Sequence, residues 1–88
     1  MQPQNAPALP ADVDAALEAR RIAARDEVAL RQLLEQHLPG YTLYRLPPAA
    51  VRRWKCKYRI MFEATYFDCQ SVVEAYARAL LVSLPAPE

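Results

Sequence analysis

Arg53, Lys55, Lys57 and Arg59 place four cations at alternate positions of one short stretch, residues 52 to 62. In a β-strand, alternate side chains share a face, so these four would form a row about 6.6 Å apart, from ~3.3 Å per residue. A cationic row of this kind can dock an acidic protein surface or the phosphates of a nucleic acid. The same pattern also serves as a solvated sheet face or as a charged edge that resists aggregation. Between the cations stand Trp54, Cys56, Tyr58, Ile60 and Phe62, which would form the opposite, apolar face. The aromatics of this stretch therefore point away from the cations, and Tyr41, Tyr44 and Tyr66 are left as the residues able to stack on bases.

Other chemistries find little support. A Cys–His nucleophile would need Cys56 or Cys69 near His37, but both cysteines read as small apolar core residues. His37 falls near a helix C-terminus, where an imidazolium is mildly favoured, and reads as a surface or capping residue. The two cysteines stand thirteen positions apart with no paired spacing, so a structural zinc site has no ligand set. Asp12 with Asp14, and Asp26 with Glu27, sit at helix-surface spacings and read as solvated charges rather than as a general acid and base. Gly40 is the single glycine, which excludes glycine-rich phosphate loops. The expectation is a non-enzymatic protein with no cofactor, no metal and no catalytic residues.

The 88 residues suffice for one small domain, placed at residues 11 to 85 behind a flexible proline-containing tail at residues 1 to 10. A formal net charge of +1 argues against a strong nucleic-acid binder. Charge is nonetheless uneven. Arg45, Arg52, Arg53, Lys55, Lys57 and Arg59 fall in a middle segment without acids, whereas both flanking segments are net acidic. No basic segment followed by an apolar run marks a signal peptide, and no apolar stretch approaches the ~20 residues that span a bilayer. A cytoplasmic setting with free thiols is expected.

The elements that would carry the cationic row follow from periodicity. Residues 12 to 38 read as a long helix, rich in Ala, Leu, Glu, Arg and Gln, with Leu30, Leu33, Leu34 and Leu38 as one stripe. Val13, Leu17, Ile22 and Val28 do not share that stripe. The helix is therefore bent or broken near Arg25 and Asp26, or it contacts a second body such as another copy of the chain. Pro39 and Gly40 stop it. Residues 41 to 46 read as a strand ended by Pro47 and Pro48. A hairpin centred on Glu63 and Ala64 would pair Phe62 with Thr65, Ile60 with Phe67, Tyr58 with Cys69, Met61 with Tyr66 and Arg59 with Asp68, matching apolar to apolar and cation to anion. Glu-Ala suits a two-residue loop poorly, so a four-residue loop at residues 62 to 65 is expected. Ser71-Val72-Val73-Glu74 is a capping box, followed by an amphipathic helix that Pro85 stops, with Glu74 and Arg78 on its polar side. The alternative is an all-α chain, in which Val51, Trp54, Tyr58, Met61, Phe62, Thr65, Tyr66 and Cys69 share a helical face.

The fold class expected is therefore α+β, in the order α-β-β-β-α, with a long N-terminal helix and a C-terminal helix packed on one face of a three-stranded antiparallel sheet. This order resembles that of double-stranded-RNA-binding domains. The function-bearing residues do not match, because Ser71-Val72-Val73-Glu74 stands where those domains carry a basic helix start and the loop glycines are missing. The core should comprise Leu30, Leu33, Leu34, Leu43, Trp54, Cys56, Tyr58, Ile60, Phe62, Phe67, Val73, Tyr76, Leu80 and Leu84. The functional expectation is a protein-binding module of adaptor or inhibitor type. It would dock an acidic partner through Arg53, Lys55, Lys57 and Arg59, with no membrane partner and a homodimer through the first helix as an option. The alternative is a nucleic-acid-binding protein using the same face.

Overall fold

The computed structural model of the protein describes residues 9–47 and 56–85. Residues 1–8 of the expected tail, and Arg53, Trp54 and Lys55 of the basic stretch, lie outside the described residues. The elements run α1 (Ala11–Ala19), α2 (Glu27–His37), β1 (Thr42–Arg45), β2 (Tyr58–Phe62), β3 (Thr65–Cys69) and α3 (Val72–Ser83). The three strands form an antiparallel sheet in the order β1-β2-β3, which removes the all-α alternative.

The long N-terminal helix is not formed. The chain leaves helical geometry at Arg20, where Arg21 takes a left-handed conformation with φ 62°. The Ile22 amide then donates to the Leu17 carbonyl and the Arg21 amide to the Glu18 carbonyl, the paired bonds that terminate a helix on a left-handed residue. The sequence hides this stop because the left-handed site, usually glycine, is an arginine. Arg25 fastens the break. Its guanidinium donates to Asp14 at 2.8 Å, to Glu18 at 3.2 Å and to the carbonyls of Ile22 and Ala24. Asp26 then restarts the chain as the N-cap of α2, accepting from the Ala29 amide at 2.8 Å. At the far end Leu38, which precedes Pro39, is extended, and α2 stops there.

The break redistributes the packing. α1 and α2 pack on α3 rather than on the strands, and α3 in turn lies on β2 and β3. The expected arrangement, with both helices on the sheet, is thus replaced by a central α3 contacted on two sides. Glu74, Ala75, Tyr76, Ala77, Ala79 and Leu80 are all buried, so α3 has no wide polar face. Its alanines leave room for neighbouring elements to approach. Val13, Leu17, Leu30, Leu34, Leu38, Ile60 and Cys69 complete the buried cluster, with Leu33, Leu43, Phe62, Phe67, Val73 and Leu84 packed against it. Cys56 and Tyr58, expected in the core, are half-buried. Burying Val13 and Leu17 within the chain leaves Val28, 52% exposed, as the open apolar position among those that suggested a second copy.

The hairpin register is the one expected from residue pairing, including Ile60 opposite Phe67 and Arg59 opposite Asp68. The loop is tighter than expected. Phe62 and Thr65 are already paired, and Glu63 takes φ 53°, so a non-glycine residue occupies a left-handed turn position. At the start of α3, Ser71 accepts from the Glu74 amide at 3.1 Å, as the capping box requires. The Glu74 carboxylate reaches back to the Gln70 amide at 3.0 Å, one residue before the expected partner.

Candidate functional site

The sheet has two unlike faces. Towards α3 point Leu43, Tyr58, Ile60, Phe62, Phe67 and Cys69, with the Phe62 and Phe67 rings 6.2 Å apart. On the opposite, outer face, the register makes two cross-strand rows. Thr42, Met61 and Tyr66 form the row nearest the hairpin turn, and Tyr44, Arg59 and Asp68 form the next. Tyr44, Met61 and Tyr66 are all exposed, the last at 53%. Lys57, exposed beyond the second row, is held to both neighbours by its backbone, which donates to the Cys69 carbonyl and accepts from the Leu46 amide.

Arg59 is not a free cation. It donates to both carboxylate oxygens of Asp68, at 2.6 and 3.0 Å, and its guanidinium lies 4.2 Å from the centre of the Tyr66 ring. The bond to Asp68, with a smaller contribution from the Tyr44 hydroxyl, raises its pKa above the ordinary arginine range. Of the four basic residues expected to bind a partner, Lys57 is exposed with no ion pair among the described residues, and Arg59 is neutralised in place. Arg53 and Lys55 lie outside the described residues. What the structure brings together is a patch of two tyrosines and a methionine around a neutralised Arg–Asp pair, with a lysine at its border. The sequence signal for this patch was the pairing of Met61 with Tyr66, whereas Tyr44 joins it only through the β1–β2 register. The cationic period drew attention from it.

A shallow, open cleft of about 350 Å³ lies at the turn end of the sheet, lined by Thr42 and Met61 of the outer face together with Gly40, Tyr41, Phe62 and Glu63. Its wall is rigid. The Tyr41 hydroxyl donates to the Glu35 carboxylate at 2.6 Å, and its ring stands edge-to-face on Tyr76 at 6.0 Å. Burial and then the Glu35 contact raise the Tyr41 pKa, so the phenol stays protonated.

The remaining chemistry is structural. Burial, reinforced by Glu74, pushes the Cys69 thiol up to about 12 and also raises Cys56, whose thiol donates to the Asp68 carbonyl at 3.3 Å. Neither sulfur is a ready thiolate nucleophile at neutral pH. Glu74, 6% exposed, is the buried charged residue that the helical pattern placed on the polar side. It receives Arg78 at 2.7 Å, and Arg78 also faces Asp12 at 3.6 Å, so the pair ties the start of α1 to α3. His37 is exposed at the end of α2. Among the described residues, no group of three or more His, Cys, Asp or Glu side chains could hold a metal ion, and no helix is long and apolar enough to cross a membrane. No protein-family model, curated protein or solved structure matches the chain.

Proposed function

We propose that this chain is a small, non-enzymatic protein-binding module of adaptor or inhibitor type, docking a partner protein on the outer face of its sheet. The observation that carries this reading is the joint exposure of Tyr44, Met61 and Tyr66 on the face opposite α3. Tyrosine and methionine are enriched at interface cores, where they bury large area for few rotatable bonds. Arg59 and Asp68 satisfy each other within the patch, so covering them leaves no charge unpaired. Lys57 at the border, continued in sequence by Lys55 and Arg53, favours an acidic rim on the partner.

One observation favours a second reading. Tyr44 and Tyr66 share their face with Arg59 and Lys57, the combination that stacks and neutralises single-stranded nucleic acid. Against it stand the Asp68 carboxylate in the same row and the net charge of +1.

The test is a comparison of the full chain with a Tyr44→Ser, Met61→Ser, Tyr66→Ser variant and a Val28→Ser, Val82→Ser control. A selected protein or peptide ligand should lose binding to the face variant and keep it on the control. Binding unaffected by the face variant removes the docking reading. Affinity for single-stranded oligonucleotides at about 50 mM salt, falling steeply as salt rises, would move the function to nucleic acid.

A further inference from the structure

The cleft at the turn end of the outer face has two features that folding does not require. Gly40 lacks a positive φ, and a Cβ added there would meet nothing within 4 Å. Neither backbone conformation nor packing in the free chain therefore calls for glycine. Glu63, in contrast, holds a left-handed conformation that glycine or asparagine would occupy with less strain, and it places a carboxylate on the cleft. No cation among the described residues pairs with Glu63. Gly40, Tyr41, Thr42, Met61 and Phe62 complete the lining, and of these Thr42 and Met61 belong to the outer face. A shallow depression that joins the exposed Met61 side chain to an unpaired carboxylate suits a long side chain with an apolar stem and a cationic head.

Resting on the docking reading, we infer that the cleft takes a lysine or arginine side chain of the partner, its stem on Thr42 and Met61 and its charge at Glu63. The open position at Gly40 lets the partner backbone pass close above the slot. Lys57 immediately precedes β2 and Glu63 immediately follows it, six residues apart and so at most about 20 Å at ~3.3 Å per residue. The partner is then an extended segment carrying a basic residue at one end and an acidic residue roughly six positions away, with apolar side chains between them on Tyr44, Met61 and Tyr66. The docking face is thus polar in direction, cation-seeking at the turn and anion-seeking at Lys57.

Selection of phage-displayed random dodecapeptides on the immobilised full chain tests this. Selected peptides should carry a basic residue spaced five to seven positions from an acidic one. As free peptides they should bind Glu63→Gln about fivefold more weakly than the native chain. Replacing the peptide's basic residue by glutamine should weaken binding to the native chain by a similar factor and leave binding to Glu63→Gln unchanged. Gly40→Val, which fills open space, should reproduce the loss while cooperative urea unfolding stays as in the native chain. Peptides that depend on Tyr66 but are indifferent to Glu63 and Gly40 overturn the cleft and leave the docking face standing. Peptides indifferent to Tyr44, Met61 and Tyr66, or a library that yields none while single-stranded oligonucleotides bind, overturn both.

Discussion

The two faces of β2 are built from alternate residues of one strand, yet they follow different rules. On the inner face, Ile60 is completely buried and α3 covers it. On the outer face, Met61 and its neighbour Tyr66 stay open, and the charge between the rows is cancelled by an ion pair rather than by burial. Stability resides on the first face, where each side chain removed leaves a cavity. The second carries little of it, which leaves its residues free to meet a partner. The same division separates the two Arg–carboxylate pairs. Glu74 with Arg78 sits inside, tying helices together, and Arg59 with Asp68 sits outside, levelling the charge of a surface.

The harshest way to break this comparison is to place a charge on each face. Ile60→Asp should abolish cooperative urea unfolding, because an unpaired carboxylate replaces a fully buried side chain. Lys57→Glu should leave the unfolding midpoint where it was. If both shift it alike, the faces are not distinct. Next in size is Glu74→Ala. It strips the Gln70 amide and the half-buried Arg78 of their acceptor and should cost about 2–3 kcal/mol in urea unfolding. Asp68→Ala on the outer face should change stability much less.

A pH series sharpens the inner face. The folded Cys69 thiol keeps its proton up to about 12, whereas an unperturbed thiol loses it near 9.0. The native state therefore binds more protons across that window, and stability should fall as pH rises through it. Cys69→Ala should flatten this slope relative to the native chain, even though Tyr41 titrates in the same direction. An unchanged slope would mean that the thiol is not shielded.

The smallest effects are expected at the two left-handed residues. Arg21→Gly and Glu63→Gly should each stabilise by about 1 kcal/mol, measured by urea unfolding. Only Glu63→Gly should also weaken binding of basic peptides. Weakening by both would assign the effect to the backbone rather than to the carboxylate.

Much of the sheet was legible. The hairpin register followed from pairing like with like along two short segments, since a one-residue slip would have put Ile60 beside Asp68. The Ser71 start of α3 was visible as a capping box, whereas Asp26 read as a solvated helix charge near a disturbed period and turned out to cap α2. The stop at Arg21 was not visible, because the chain carries no glycine there and the closing hydrogen bonds are between backbone groups. The role of Glu74 was hidden for a related reason. A helical period shows which side of a helix is apolar, not how many neighbours will surround it. The candidate site was half legible: over residues 58 to 62 the strand and its alternation of faces follow the reading, but the emphasis fell on cations, of which Arg53 and Lys55 lie outside the described residues and Arg59 is neutralised by Asp68.

The sequence by itself determined the local grammar of this protein: the α+β class, the pairing of the hairpin, the Ser71 cap and the prolines that follow two helices. These depend on residues close in the chain or on patterns repeated along it. Only the tertiary structure decided that both pieces of a broken N-terminal helix would pack on α3. It also decided that Glu74 would be enclosed, and that Tyr44, Met61 and Tyr66 would come together on an open face beside the Gly40–Glu63 cleft. Those outcomes depend on which surfaces compete for α3, a question settled by burial across long sequence separations rather than by any local preference.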